Sequence, residues 1–453
     1  MQLINCTNYG GFMPKAQYIE IAAALADDIQ NGNLPPGTRL ATHRAFAEQH
    51  GVALATATRA YRELERRGLI VGEKGRGVFV RDLGLPLTLG IEQTATEGLL
   101  DLVFNMPSES GDSEMLRAGL KRLAAAGDLD AMLRYQPHGG RPHERKIIAS
   151  YLNKLGVITS ERLLITSGGQ HGLAITVLGL LRRGDSVGTD ALTYPGFKSV
   201  AALQGLNLLA IGGLGGSMNA DALERKCKEE KLRAIYLMPT VHNPLGSVMD
   251  EATRRGLVDV ARRYDLLIIE DSSYAFLEPD PPPSLLELAP ERTIYIGGFS
   301  KSLATGLRLG YLIGPEQHIG KLSHAIRATT WNAPALISAL VTGWIEDGTL
   351  AISEKNRRRD GAQSQRLCQE IFKDMSIISH PNASFAWLPL ANGQRAEPII
   401  TALIAQSIAV SSGEPYAVTD AAPQALRIAF GGIPIEQLRN AFQNIRDQIA
   451  AAP

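Results

Sequence analysis

Lys301 stands in the run Gly297-Gly-Phe-Ser-Lys-Ser-Leu-Ala-Thr-Gly-Leu-Arg-Leu-Gly-Tyr, with Arg308 seven residues further on. An ammonium held among Leu303, Leu307 and Leu309 is poorly hydrated, which promotes imine formation. Arg308 offers a fork of donors suited to a phosphate. Asp271 follows the apolar run Leu266-Leu-Ile-Ile-Glu, and Tyr274 lies three residues beyond it. Asn243 sits in Met238-Pro-Thr-Val-His-Asn-Pro-Leu-Gly, and Tyr194 in Leu192-Thr-Tyr-Pro-Gly-Phe. Ser167-Gly-Gly-Gln-His is a glycine turn opening a helical stretch, where backbone N–H groups receive anions. Together these supply an imine lysine, a carboxylate for a pyridine nitrogen, two donors for a phenolate oxygen, a flat ring to stack and a phosphate cup. Pyridoxal 5'-phosphate asks for that set. Taken singly, each residue has a plainer reading. A lone lysine is a surface charge, Asp271 a helix cap, Asn243-Pro244 a turn and Tyr194 a packed loop residue.

The elements that must position these groups are legible in the apolar spacing. Short apolar runs at 163–166, 186–189, 208–211, 234–238, 266–270, 293–296 and 310–313 alternate with helical stretches such as 170–181 and 251–264. That alternation predicts a mostly parallel α/β sheet. Ligands of such sheets gather at the carboxyl ends of the strands, where Asp271 and the loop of Asn243 fall. From about Asn332 a long helical region leads into mixed α+β, a smaller subdomain.

A different unit precedes the sheet. Residues 16–29 carry helical spacing, stopped by Pro35-Pro-Gly. Thr42 is placed to cap a short helix at 44–49, and a third helix spans 55–67 before Gly68. Two strand-like runs, 69–71 and 78–80, enclose Glu73-Lys-Gly-Arg-Gly. Three helices and a two-stranded wing make a winged helix-turn-helix. Nine Lys or Arg stand against four Glu over 39–81, a local +5 in a chain whose formal net charge is +0. Duplex phosphates need such cations. Arg39, Thr42 and Arg44 flank the second helix. Thr56, Thr58 and Arg59 lie where a recognition helix meets base edges, and Lys74 and Arg76 sit at the wing tip. The plainer reading is a three-helix interaction module with a solvated basic face.

Composition narrows the rest. With 45% hydrophobic and 20% charged residues the chain reads as globular. Cys6, Cys227 and Cys368 form neither a disulfide framework nor a metal-ligand pattern, so no metal is expected and a reducing cytoplasm is the simplest compartment. No signal peptide is apparent, and no apolar stretch is long enough to span a membrane.

Two resemblances follow from these motifs. Tyr18-Ile-Glu-Ile-Ala, Leu34-Pro-Pro-Gly-Thr-Arg-Leu, Arg44-Ala-Phe-Ala, Ala60-Tyr-Arg-Glu-Leu, Gly68-Leu-Ile and Gly75-Arg-Gly-Val-Phe-Val resemble the GntR family of bacterial regulators. Ala41-Thr42 replaces the family's usual Pro-Ser, and the recognition helix lacks an arginine often found at its start. From about Asp101 onward the chain resembles a fold-type I, class I/II aminotransferase. This implies that Lys301 forms the imine, Asp271 partners the pyridine nitrogen, Asn243 and Tyr274 meet the phenolate oxygen, and Tyr194 stacks. Gly169, Gln170, Ser300 and Arg308 would form the phosphate cup. Tyr135, in Tyr135-Gln-Pro-His-Gly-Gly, would reach the phosphate of a partner subunit, which implies a homodimer. Arg427, in Ala425-Leu-Arg-Ile-Ala-Phe, would hold a substrate carboxylate. The fusion resembles the MocR subfamily. The expected organisation is a winged helix at 12–81, a linker at 82–100 and an aminotransferase-like unit at 101–453. The expected function is a regulator that binds an operator with two half-sites and senses pyridoxal phosphate or a small amino compound. The alternatives are a working aminotransferase, or a metabolic enzyme carrying an inert N-terminal module.

Overall fold

The computed structural model describes residues 17–35, 37–73, 77–81, 98–106, 112–126, 128–153, 156, 158–213, 216–419 and 421–452. The chain divides into two compact units, one ending at Leu87 and the other beginning at Thr88.

In the N-terminal unit, helix Gln17–Gln30 buries Ala22, Ala26 and Ile29. Helix Leu54–Arg66 buries Ala57, Ala60, Tyr61 and Leu64, a single apolar stripe. Phe46, Leu69, Ile70 and Val80 complete the core. Thr42 caps helix His43–Gln49 by accepting from Ala45 N at 3.2 Å. Just past its C-cap His50 stands Gly51, whose φ of +63° suits glycine. There Gly51 N donates to Glu48 O and Val52 N to Ala47 O, which turns the chain toward the next helix. Tyr61 donates to Ala41 O at 2.9 Å, and burial pushes its phenol up to about 12. The wing has three strands, not the two expected. Arg39–Leu40 pairs antiparallel with Gly77–Val80, which also pairs with Ile70–Glu73. A two-residue strand has no periodicity to read.

The second unit is built on a seven-stranded sheet. In spatial order its strands are Leu163–Thr166, Gly310–Ile313, Thr293–Gly298, Leu267–Asp271, Leu232–Leu237, Ser186–Asp190 and Asn207–Ile211. Gly310–Ile313 runs antiparallel to both neighbours, and every other adjacent pair is parallel. Helices cover both faces, so alternate residues of one strand enter different cores. Leu164, Ile294, Ile296 and Leu312 pack on one side. Ile165, Tyr295, Tyr311 and Ile313 pack on the other, with Trp344 among them. The reversed strand has a positional consequence. Its amino end lies at the edge where the parallel strands have their carboxyl ends, so Arg308 joins the groups there.

Helix Thr349–Ile371 runs from this sheet's periphery into a smaller subdomain. There Phe385–Pro389, Ala425–Ala429 and Ser411–Ser412 form an antiparallel sheet with Ala425–Ala429 in the middle, and helices Ala396–Ile404 and Ile435–Ala451 cover it. Trp387 is buried in this layer. Leu100–Asp101 pairs parallel with Ile408–Ala409. Leu100, expected to close the linker, is therefore a strand residue, while 82–97 lie outside the described residues. Among the described residues no single helix is long and apolar enough to cross a membrane.

Glu270 precedes the site strand's last residue and is fully buried. Burial raises its carboxyl to about 7, against the opposing charge of Arg254 and a bond from Leu286 N at 3.0 Å. A folded-state value above the unfolded one means stability is greatest below about 4.5 and is lost as pH rises through about 7. Glu270→Gln keeps an acceptor for Leu286 and removes the titration. It should flatten this part of the stability–pH curve and raise the relative stability at pH 8. Parallel wild-type and variant curves in urea melts across that window would contradict the assignment.

Candidate cofactor site

Asp271, Asn243, Tyr194, Gly169 and Lys301 lie at or follow the carboxyl ends of strands in the seven-stranded sheet. Asp271 ends its strand and is no helix cap. Its Oδ2 accepts from Tyr236 at 2.9 Å, and its Oδ1 accepts from Ser273 N at 3.0 Å and Ser273 Oγ at 2.6 Å. Burial raises the Asp271 carboxyl, and the bonds from Ser273 and Tyr236 pull it back in part. Tyr236 stacks on Phe197 with centroids 3.8 Å apart, so the donor to Asp271 is itself fixed.

Lys301 follows strand Thr293–Gly298. Leu303 and Leu309 beside it are fully buried, while the amine itself donates to Asn105 O at 2.8 Å. Its Nζ also lies 5.9 Å from the centre of the Tyr274 ring. Burial alone would raise the Tyr274 phenol. The nearby charges of Lys301 and Arg427, with bonds to Asn105 and Arg427, outweigh that and lower it. A phenol held this way beside a lysine is a ready hydrogen-bond partner for an anionic oxygen.

The cup forms where Leu163–Thr166 meets helix Gly169–Leu180. Gly168 has φ +87°, and a Cβ there would come within 2.9 Å of Arg308 Nη2. Glycine thus lets the guanidinium lie against the first helical N–H groups. Arg308 also donates to Ser300 Oγ at 3.2 Å. Gln170 donates to Gly196 O at 2.8 Å, and its buried Oε1 has no partner. Tyr194 is half-buried at the start of helix Pro195–Gln204, and burial raises its phenol. Asn243 is buried with its amide oxygen unpartnered.

Arg427 lies in strand Ala425–Ala429, buried, 5.0 Å from the Phe385 ring centre, and donates to Val103 O at 2.6 Å. Tyr135 stands apart at 86% exposure, its ring 5.4 Å from that of Trp331. In the N-terminal unit Arg39, Thr42, Arg44 and Arg59 are exposed, and Thr56 is half-buried. The Thr58 hydroxyl donates back to Leu54 O at 2.8 Å, so its proton is turned away from any outside acceptor. Arg66 and Arg67 both bond Glu63, holding its carboxyl down to about 2, so these two cations are engaged within the helix. Lys74 and Arg76 lie outside the described residues.

Residues 98–445 match the family model described as aminotransferase class I and II. The chain belongs to the class I and II aminotransferase family. Residues 17–80 match the gntR family of bacterial regulatory proteins, so the N-terminal unit is a GntR-type helix-turn-helix. The HTH-type transcriptional regulator YdeF of Bacillus subtilis is 29% identical over 92% of this chain and 90% of its own length. The 2-aminoadipate transaminase of Thermus thermophilus is 26% identical over 78% of this chain and 91% of its own. The structure of LysN, an α-aminoadipate aminotransferase from Thermus thermophilus complexed with N-(5'-phosphopyridoxyl)-L-leucine, superposes with a TM-score of 0.71 at 25% identity, covering 78% of this chain and 92% of that one.

This aminotransferase family is pyridoxal-phosphate-dependent, and the site fits the group on its own evidence. A buried carboxylate with a raised pKa suits a pyridinium N–H. The glycine cradle brings Arg308 against the first N–H groups of helix Gly169–Leu180, a set of donors suited to a phosphate. Bound there, pyridoxal phosphate supplies an electron sink for the bonds around a substrate's α-carbon. Sequence reasoning missed Asn105, Ser273, Tyr236 and Arg254. Arg254 is fully buried and donates to Met249 O, Pro239 O and Thr240 Oγ1, tying down both legs of the Asn243 loop.

Proposed function

We propose that this chain is a pyridoxal-phosphate-dependent transcription regulator of the MocR type. The observation that carries the reading is the joining of a GntR-type unit and an aminotransferase unit in one chain, matched nearly end to end by YdeF, an uncharacterized HTH-type transcriptional regulator. The GntR-type unit binds operator DNA through Arg39, Arg44 and Arg59. The aminotransferase unit holds the cofactor on Lys301, with Asp271 against the pyridine nitrogen and Asn243 and Tyr274 on the phenolate oxygen. Tyr194 stacks on the ring, and Gly169, Gln170, Ser300 and Arg308 hold the phosphate. Arg427 takes the carboxylate of an amino compound that serves as effector.

The chain works as a homodimer, so that two winged helices meet two half-sites. Leu133 at 87% exposure, with Tyr135 and Trp331, offers apolar surface to a second copy, whose phosphate Tyr135 reaches. The regulator acts in the cytoplasm, where its DNA is.

Retardation of the native upstream DNA by purified protein tests the reading, and no shift at low salt would sink it. Arg59→Ala should weaken that binding by roughly 5- to 100-fold, or about 1–3 kcal/mol. Unchanged affinity would remove Arg59 from the interface.

A second reading, retained transaminase turnover, is favoured by the set Lys301, Asp271, Tyr274, Asn243 and Arg427, in which Tyr274 lies beside Lys301 and bonds Arg427. Lys301 would then also carry the α-proton. Turnover of amino acids with a keto-acid acceptor at roughly 1 per second or faster supports it. Cofactor binding without repeated turnover leaves the sensor reading alone.

A further inference from the structure

Residues 98–106 form a strap that touches both functional cations through its backbone. Val103 O accepts from Arg427 at 2.6 Å, and Asn105 O accepts from Lys301 at 2.8 Å. The first half of the strap belongs to the small subdomain. Leu100 N donates to Ser407 O, Leu102 N donates to Ala409 O, and Leu102 O accepts from Ala429 N at 2.7 Å. Between the two halves, Asp101 Oδ1 accepts from Val103 N at 2.8 Å and Phe104 N at 3.3 Å. That side-chain turn aims the two carbonyls at Arg427 and Lys301.

We propose that this strap reports the occupancy of the site to the GntR-type unit, with Asp101 as its positioning residue. The proposal rests on the regulator reading above and names its route of regulation. A carboxylate seated on Arg427 makes a stronger, charge-assisted pair than Val103 O does and displaces it. A cofactor attached at Lys301 takes the donor from Asn105 O. Each event removes one backbone tie of the second half of the strap, leaving its Asn105 side chain on Tyr274, while the first half stays stitched to the small subdomain. The strap is the part of the aminotransferase unit nearest in sequence to the GntR-type unit, so its release is the change that the connecting chain receives. A ligand regulates only by favouring one arrangement over another, and these two bonds distinguish occupied from empty.

The test uses the full chain in three states: without cofactor, with pyridoxal phosphate, and with N-(5'-phosphopyridoxyl)-L-leucine, which leaves Lys301 free and presents a carboxylate. Amide exchange of Val103 and Phe104 should differ between states by roughly 5-fold or more in the wild type, and affinity for the upstream DNA should change in step. In Asp101→Ala these amides should exchange fast in every state. DNA affinity should then vary less than about 2-fold between states, below the usual span of allosteric coupling. Cofactor absorbance should persist. Asp101→Asn, whose amide oxygen accepts the same two bonds, should restore the wild-type pattern, which a merely missing charge would not allow. Equal exchange of the wild-type strap in all three states overturns the proposal, as does ligand-dependent DNA affinity surviving in Asp101→Ala. If wild-type protein binds no upstream DNA, the regulator reading falls, and the exchange comparison still decides whether the strap senses the site.

Discussion

Lys301→Ala should abolish covalent uptake of pyridoxal phosphate and lower any transaminase turnover by roughly 100- to 10,000-fold, the usual contribution of a positioned acid–base group. Its amine makes one hydrogen bond, to Asn105 O, so removing it should shift stability by no more than about 1 kcal/mol. The loss would therefore be chemical and not a failure to fold. Absorbance of the bound cofactor and borohydride fixation followed by peptide mapping read the result. Fixation of the cofactor at another lysine in the variant would refute the assignment. The same variant separates the two functional readings. If upstream DNA binding survives but no longer responds to cofactor, Lys301 serves sensing as well as chemistry.

Arg254→Ala should cost roughly 3–5 kcal/mol, near the top of the range for single substitutions. The guanidinium donates to Pro239 O, Met249 O, Pro282 O, Pro283 O and Thr240 Oγ1, and no water is needed to complete the arrangement. Truncation leaves four carbonyls without this donor around an arginine-sized hole. Arg254→Lys supplies a single ammonium and should recover only part of the loss, because it cannot span both legs of the loop. Because the loop carries Asn243, cofactor affinity should fall along with the urea midpoint. A midpoint unchanged within about 0.5 kcal/mol, the usual span for surface substitutions, would show that the loop holds without Arg254.

The parts of this molecule that were legible in sequence are those whose cause is local. All seven strands of the large sheet announce themselves as short, mainly apolar runs, because most of their residues are buried between helical layers. Thr42 reads as a cap because a cap acts within one helical turn. Lys301, Asp271 and Asn243 read from motifs at strand ends, where the backbone fixes their direction. Other groups act across the fold. Asn105 meets Lys301 over 196 positions, and Tyr236 meets Asp271 over 35. Nothing near Tyr236 in sequence distinguishes it from an ordinary core residue. Leu100–Asp101 and Arg39–Leu40 are too short to carry a period, and each exists only because a partner strand lies alongside. Charge counting gives the net +5 but not its placement: Arg66 and Arg67 both lie on Glu63.

The three tryptophans fall into three separate surroundings: Trp331 beside exposed Tyr135, Trp344 inside the large core, and Trp387 in the small subdomain. All three belong to the aminotransferase unit, and the GntR-type unit has none. Under excitation selective for indole the DNA-binding half is therefore dark. Emission follows the aminotransferase half alone, while far-ultraviolet dichroism follows both. One sample of the unlabelled protein thus carries a built-in optical separation of its two halves, and melting it while watching both signals tells whether they come apart together or one before the other.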